Sequence, residues 1–427
     1  MSKPYPKYKD SGIEYFGKIP DYWEKAKVKF FCKGIYTGGT PHDKSYFQNG
    51  KINWYTPADF NNGLLGDSQR KLNEKAIEDR VAFLYDERST YLTGIGNVGK
   101  AAISYQKATC NQQLNVITFD DDIINEEYGF YLLKIIGNEI INWASFTTLP
   151  IFNQSQTKNL NFLKPPFSEQ NDIAKFLNRK TQEIDNTIAK KQRLIELLVE
   201  ERKATINEAV TKGLNPNVKM KDSGIEWIGE IPEHWEVEKM KRIAYIKGRI
   251  GWQGLRQSEF KDEGPYLITG MNFKDGRINW DEVYHISEER YNEAPEIQVK
   301  KGDVLMTKDG TIGKLLYIDF LPGPTSLNSH LLLFRPLNNE FKTKFLYYHF
   351  KTYPFNWYVD LNKTGTTFYG ITQTAIEQYK IAVPPIDEQE IISMYLDKQT
   401  SEIEKSIQKI QNQIELLKEY RHSLIFE

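Results

Sequence analysis

Residues 7–24 read KYKDSGIEYFGKIPDYWE, and residues 219–236 read KMKDSGIEWIGEIPEHWE. Twelve of these 18 positions are identical, which chance does not give in a chain of 427 residues. The echo continues downstream. TGIGNVGK at 93–100 matches TKDGTIGK at 307–314, and Gln156-Thr157 matches Gln373-Thr374. KPPFSEQNDI at 164–173 matches VPPIDEQEII at 383–392. The shift drifts from 212 to 219, as loops of unequal length require. A period near half the chain is far too long for a solenoid, whose repeats run to roughly 50 residues at most. The chain reads as a tandem duplication giving two similar domains about a pseudo-two-fold axis.

Similarity within each half is uneven. The ends agree well, whereas the middles, about 30–90 and 244–300, agree poorly. A shared frame holds two divergent inserts, which implies the same kind of job done on different targets. Each half then closes in a long helix. No Pro or Gly interrupts the chain from Ser168 to Gly213, or from Asp387 to the end. Ser168 and Asp387 read as N-caps, and Asp387 with Glu390 as a capping box. Apolar residues recur at three- and four-residue steps, a heptad pattern. In the second helix they are Leu396, Ile403, Ile407, Ile410, Ile414, Leu417 and Leu424. The matching first-helix positions are Leu177, Ile184, Ile188, Lys191, Ile195, Leu198 and Thr205. Helices of about 40 residues are about 60 Å long. A helix with one apolar seam needs a partner, and the duplicated copy, run antiparallel, is the nearest candidate.

Between leader and helix the pattern is short strands and turns. Residues 114–119, 303–306 and 331–334 read as buried strands, and 128–136 and 343–350 as short helices. The fold class expected is mixed α/β: two globular domains joined by two long helices forming an antiparallel coiled coil. The expected division is 1–167, a first domain with its leader; 168–212, the first helix; 213–231, linker and repeated leader; 232–386, the second domain; and 387–427, the second helix.

Composition excludes several classes. Apolar residues are 40% and charged residues 26%, ordinary globular values. The net charge of -1 argues mildly against a nucleic-acid binder, which often carries a basic excess. Local patches, or a partner subunit, would then have to supply the positive charge. Two cysteines, Cys32 and Cys110, with no CxxC pair, give neither a zinc thiolate site nor a disulfide framework. The polar start has no signal-peptide core, and no apolar run is long enough to span a bilayer. The expectation is a cytoplasmic protein.

Apparent catalytic motifs fail on inspection. Residues 94–100, GIGNVGK, satisfy both GxGxxG and GxxxxGK. Ala101, however, stands where a P-loop needs Ser or Thr for magnesium. The following AAISYQ reads as a strand, where a phosphate cradle needs a helix N-terminus. The copy has Lys308 in place of the first glycine. The segment is read as a turn between two strands. Lys164-Pro165-Pro166-Phe167 is similar to the Asn/Asp-Pro-Pro-Tyr/Phe loop of amino-methyltransferases, but Lys164, and Val383 in the copy, stand where the acceptor is needed. It reads as a stop before the helix. The six histidines form no HExxH or HxH pair, so no metal is expected. His234, replacing Tyr22 of the first copy, reads as surface filler.

Taken together, the segments resemble one family. The leader KDSGIExxGxIPxxWE appears twice. Gly38-Gly39-Thr40-Pro41 and Ile52-Asn53-Trp54 follow in the first half. Gly302-Asp303-Val304-Leu305 leads to Asp309-Gly310-Thr311-Ile312-Gly313 in the second. Asn111-Gln112 and Asn328-Ser329 precede strands. Thr364-Gly365-Thr366-Thr367 leads to Pro-Pro and then Glu388-Gln389, matching Glu169-Gln170. This order closely resembles the specificity subunit of type I restriction-modification enzymes over essentially the whole chain. One departure is STYLTG at 89–94, which lacks the Asp-Gly turn of the second half.

The resemblance implies a division of labour. Each insert is a target-recognition domain reading one half of a bipartite, asymmetric DNA site. The helices space the domains and dock two methyltransferase subunits. Those would methylate adenine from S-adenosylmethionine. Motor-nuclease subunits using ATP and Mg would complete the restriction complex. No cofactor and no catalytic residue is implied in this chain. The spacing argument agrees. Half-sites on one face of B-DNA lie about 34 Å apart, a distance a stiff helix pair can span. Two rivals stand beside this reading: a two-domain DNA-binding scaffold working without methyltransferases, and a coiled-coil interaction protein without salt-dependent DNA affinity.

Base edges are read by Arg, Lys, Asn, Gln, Ser and Thr, and phosphates by cations, hydroxyls and amides. Loops rich in these groups are the candidate DNA-binding sites. In the first half they hold Thr37, Thr40, Lys44, Ser45, Asn97, Lys100, Gln112, Gln154 and Ser155. In the second they hold Arg249, Trp252, Gln253, Arg256, Lys308, Asp309, Thr311, Asn328, His330, Lys363, Thr364, Thr366 and Tyr369. KGRIGWQGLRQ at 247–257 is the most basic and aromatic loop and the leading candidate for groove entry. Leader residues Gly12, Ile13, Pro20 and Trp23, with Gly224, Ile225, Pro232 and Trp235, are read as frame packing, because target-specific residues should differ between halves.

Overall fold

The computed structural model describes residues 5–60, 63–146, 149–249, 254–274, 276–365 and 369–426. The chain divides into two compact units, 1–190 with 413–427, and 191–412. This cuts through both long helices, where the sequence suggested separate helical segments. Each unit holds a globular body and one portion of each helix.

The first unit carries a five-stranded sheet. Its strands are β1 (Cys32–Thr37), β2 (Leu64–Leu65), β3 (Thr90–Thr93), β4 (Ala101–Ser104) and β5 (Leu114–Phe119), in the order β1-β5-β3-β4-β2. In the second unit β6 (Ala244–Gly248), β7 (Val304–Thr307), β8 (Leu315–Tyr317) and β9 (Leu331–Pro336) run β6-β9-β7-β8. These are the first four positions of the first sheet again, antiparallel throughout. A smaller three-stranded sheet repeats too. Ile52–Tyr55 pairs parallel to Thr109–Cys110, as Lys261–Ile268 pairs parallel to Thr325–Leu327. The middles that diverge in sequence therefore share a topology. β3, β5 and β7, and the first four residues of β9, bury side chains on both faces because each is covered on both sides.

The GIGNVGK segment joins β3 to β4 as a turn, as expected. Residues read as 128–136 belong to a longer helix, α1 (Glu126–Trp143), capped by the Asn125 side chain. The second-half counterpart is broken into α3 (Thr343–His349) and α4 (Tyr353–Asn362). Pro354 explains the interruption: it sits in the first turn of α4, where no amide is needed.

The long helices are α2 (Phe167–Lys212) and α5 (Ile386–Phe426). Both begin one residue earlier than the proposed caps. Ser168 and Asp387 therefore lie inside the first turn, and the Pro166 and Pro385 carbonyls accept the first helical amides. Asp387 and Glu388 there still favour the positive helix end.

Each unit contains an antiparallel helix pairing. In the first, Arg421 of α5 meets Asp185 of α2 in an ion pair at 2.9 Å and donates to it in a hydrogen bond of 3.0 Å, and Leu424 and Ile425 share a core with Leu177. In the second, Arg202 of α2 meets Glu404 of α5 at 2.6 Å, and Ile206 and Val210 share a core with Ile392 and Leu396. Of the proposed seam, Leu177, Ile184, Leu396, Ile403, Ile407, Ile410 and Ile414 are buried, while Ile188, Ile195, Leu198 and Leu417 are half-buried.

The doubled leader folds the same way twice. Asp10 and Asp222 accept from the amides of Gly12 and Gly224, both left-handed at φ near +65°. Ile13, Ile225 and Trp235 are buried and Trp23 half-buried, in keeping with frame packing. His234 lies at the surface, as expected, but has a partner. Its Nε2 lies 2.8 Å from Glu388, as the Tyr22 hydroxyl lies 3.1 Å from Glu169.

Candidate nucleic-acid interface

In the second unit three segments converge at one end of the β6-β9-β7-β8 sheet. They are the β7–β8 turn, the turn before β9, and residues 363–365 with 369–371. The backbone ties them together. The Lys308 amide donates to the His330 carbonyl at 2.9 Å, Gly310 to Tyr369 at 3.1 Å, and Ile371 to Lys308 at 2.7 Å. Thr364 and Gly370 exchange two bonds of 2.9 Å. Lys308, Asp309, Thr311, Asn328, His330, Thr364 and Tyr369, scattered through the sequence, thus share one surface. His330 Nδ1 lies 2.6 Å from Asp309 Oδ1. Lys363 lies 5.4 Å from the Tyr369 ring centroid and is held above its ordinary pKa by Asp360 at 2.7 Å.

Arg249 has a different environment. It follows β6, is 3% exposed, and its guanidinium donates to the Leu327 carbonyl at 2.9 Å and the Ser326 hydroxyl at 3.0 Å. Burial, with Arg290 nearby, pushes its pKa down. In this arrangement Arg249 ties the two sheets of the unit together. Arg256 is exposed and opens a short turn closed by Glu259. Trp252, Gln253 and Thr366 lie outside the described residues.

The first unit repeats the convergence. Gly94 donates to Gln113 at 2.8 Å, Gly96 to Pro150 at 3.0 Å, and Phe152 to Gly94 at 2.8 Å. The turn interiors also match. Thr93 Oγ1 donates to the Asn97 carbonyl at 2.7 Å and accepts from the Lys100 amide at 2.8 Å. Thr307 Oγ1 likewise donates to Thr311 at 2.5 Å and accepts from Lys314 at 2.9 Å. Gly96, Gly99, Gly310 and Gly313 all take positive φ. The missing Asp-Gly in the first half therefore does not alter the loop. A glycine at 96 does the work, since that conformation penalises a Cβ.

The remaining first-unit candidates divide. Asn97 and Lys100 are exposed on the turn. Thr37 donates to buried Asn115 at 3.0 Å, and Asn115 donates to Phe152 and Thr157. Gln154 donates to the Ile35 carbonyl and Thr40 to Gln112. Ser155 is exposed on the short helix Gln154–Lys158. Lys44 and Ser45 lie on a separate short helix, Lys44–Phe47, tied by Tyr46 and Ser45 carbonyls to Asn73.

One position escaped the sequence reading. Gln113 stands where the second unit has His330, and both amides are held by an Asn two residues earlier, at 3.1 Å in each case. Aligning Asn111-Gln112-Gln113-Leu114 with Asn328-Ser329-His330-Leu331 exposes it. The chemistry of both surfaces is hydrogen bonding. Among the described residues no group of three or more His, Cys, Asp or Glu is placed to hold a metal, and no helix is long and apolar enough to cross a membrane.

One loop frame is used twice and bears different polar side chains in the two units. The comparisons specify the class. The model of the type I restriction modification DNA specificity domain matches residues 20–197 and 232–416. The chain belongs to this family and contains two copies of its domain. It is a DNA-recognition subunit of a type I restriction system, not a catalytic one. The specificity subunit of type I restriction enzyme MjaVIII from Methanocaldococcus jannaschii is 25% identical over 415 residues, 92% of each chain. A putative MjaX specificity subunit of that organism is 26% identical over 421 residues, 93% of each. Among solved structures, a chain described with the complex assembly and conformational transition of the type I restriction-modification system has a TM-score of 0.73. It is 16% identical, with 95% of this chain and 97% of that one covered. The specificity subunit from Thermoanaerobacter tengcongensis has a TM-score of 0.56 at 15% identity, covering 95% and 96%. These structures establish the shared fold.

Proposed function

We propose that each unit reads one half of a bipartite, asymmetric DNA site, and that the long helices set the spacing and dock two methyltransferase subunits. The observation that carries this reading is the doubled loop frame. Its backbone bonds repeat from Gly94 to Lys308 and from Gly96 to Gly310, while the side chains it carries differ. A frame kept constant beneath changed polar groups is what two readers of different sequences need, because base edges differ only in their donors, acceptors and methyl groups. S-adenosylmethionine would bind on the methyltransferases, and ATP and Mg on motor-nuclease subunits joining the complex. The candidate residues divide by chemistry. Lys100, Lys363 and Arg256 suit phosphates; Gln112, Asn328 and His330 suit base edges. The chain's net charge of -1 gives it weak DNA affinity alone, raised when methyltransferases close around the duplex.

The test is to co-express the chain with its cognate methyltransferase and map adenine methylation over a random DNA library. A split, asymmetric motif with an undefined spacer supports the reading. A stable complex that methylates without sequence preference, or a chain that forms no complex, contradicts it.

A further inference from the structure

We infer that Gln113 and His330 are the paired specificity-determining residues of the two units, one base-reading side chain at the same frame position in each half. The inference rests on the proposed reading of DNA half-sites by the two loop clusters.

The position is shared by backbone geometry. The Asn111 side chain accepts the Gln113 amide at 3.1 Å, and the Gln113 carbonyl accepts from Gly94 at 2.8 Å. The Asn328 side chain accepts the His330 amide at 3.1 Å, and the His330 carbonyl accepts from Lys308 at 2.9 Å. Each residue immediately precedes a central strand, at the edge where the turn and the returning loop meet. Yet the side chains differ, as a specificity position in a duplicated frame requires.

In both units one end of the side chain is fixed and the other remains available. Asn111, itself buried, accepts the Gln113 amide on Oδ1 and donates from Nδ2 to Gln113 Oε1 at 2.8 Å. That bond orients the Gln113 carboxamide and leaves its NH2 to donate. Asp309 holds His330 Nδ1 at 2.6 Å, which fixes the ring and leaves Nε2 at a side chain about half exposed. Side chains locked at one end lose less freedom on binding and discriminate better than mobile ones. Lys308 and Asp309 replace Gly94 and Ile95 beside this position, so the second unit carries the anchor for its histidine within the turn itself. A carboxamide NH2 matches purine or thymine acceptors in the major groove. An imidazole held by a carboxylate matches guanine N7 or O6 when it donates.

The test is methylation mapping of the wild-type complex and of the His330→Gln, Gln113→His and Asp309→Asn variants with the cognate methyltransferase. His330→Gln should change base preference about 10- to 100-fold at one position in one half of the motif. Gln113→His should do so in the other half. Asp309→Asn should alter the same position as His330→Gln. An unchanged motif in the folded histidine and glutamine variants overturns the inference. So does a uniform drop in methylation across all sequences, since phosphate contact or loop support acts without regard to sequence. A wild-type complex yielding no bipartite motif instead removes the proposed function beneath it.

Discussion

Gln389, fully buried in the first turn of α5, accepts the Lys342 amide at 2.8 Å. Its Nε2 donates to the Pro384 and Glu340 carbonyls at 2.8 and 3.1 Å. Gln170 repeats this at the start of α2, accepting from Asn125 and donating to Pro165, each at 2.9 Å. One glutamine thus stitches each long helix to the entry of the globular body's own helix. The preceding glutamate holds the leader: Glu388 accepts from Trp235 at 3.1 Å. The Glu-Gln pair recurs because one residue grips the leader and the other the body.

Removing Gln389 leaves buried donors and acceptors unpaired. Gln389→Ala should destabilise the second unit by about 2–4 kcal/mol, from a penalty of about 1–3 kcal/mol per orphaned group. Chemical denaturation followed by the buried Trp235 should read it. A loss below about 0.5 kcal/mol would contradict the stitching role.

His349 lies wholly inside the second unit, with Nε2 2.8 Å from the Tyr379 hydroxyl. Burial holds its pKa down at about 3, below the ordinary 6.5. The unfolded chain then binds a proton that the folded chain refuses. This contribution is complete above pH 6.5 and declines as pH falls toward 3. Between pH 7 and 5.5 it removes about 1 kcal/mol. Unfolding curves across that window should show this slope, and His349→Gln should flatten it.

Gly99 and Gly137 approach face to face. A Cβ on Gly137 would meet the Gly99 carbonyl oxygen at 2.2 Å, and the reverse is also 2.2 Å. Alanine normally strengthens a helix by about 1 kcal/mol over glycine. Here overpacking, at about 1–3 kcal/mol, outweighs that. Gly137→Ala should lower the first unit's melting temperature and displace the 94–100 turn. Gly313 has nothing within 4 Å of a Cβ, so Gly313→Ala carries only the strain of its φ of +83°, about 1 kcal/mol.

Arg421 and Asp185 form a hydrogen-bonded ion pair whose side chains are 17% and 32% exposed. Arg421→Ala should weaken the first unit by about 1–3 kcal/mol. The exchanged pair Asp185→Arg with Arg421→Asp should recover part of that in a double-mutant cycle. Additive single effects would contradict direct coupling.

Much of this was legible in the sequence. The doubled leader, the GK turn and the Pro-Pro-x-x-Glu-Gln helix start are local signals, and each folds as its residues suggest. The shared topology of the middles was not legible. Strands such as β1 and β6 keep their place in the sheet rather than residue identity, and CKGIYT against AYIKG carries no visible repeat. Gln113 escaped because its match to His330 rests on only two identities, Asn111 with Asn328 and Leu114 with Leu331. Arg249 looked like a groove reader by charge alone. Its burial against Leu327 follows from the meeting of two sheets, which local sequence does not encode. His234 read as surface filler because only the fold brings Glu388 beside it.

The central claim is that each unit reads its half-site independently. The most direct test exchanges residues 244–379 for those of a relative with a different target and maps methylation of the resulting complex. The account predicts a motif changed in one half, with the other half and the spacer length preserved. Change in both halves, or in neither, would contradict it.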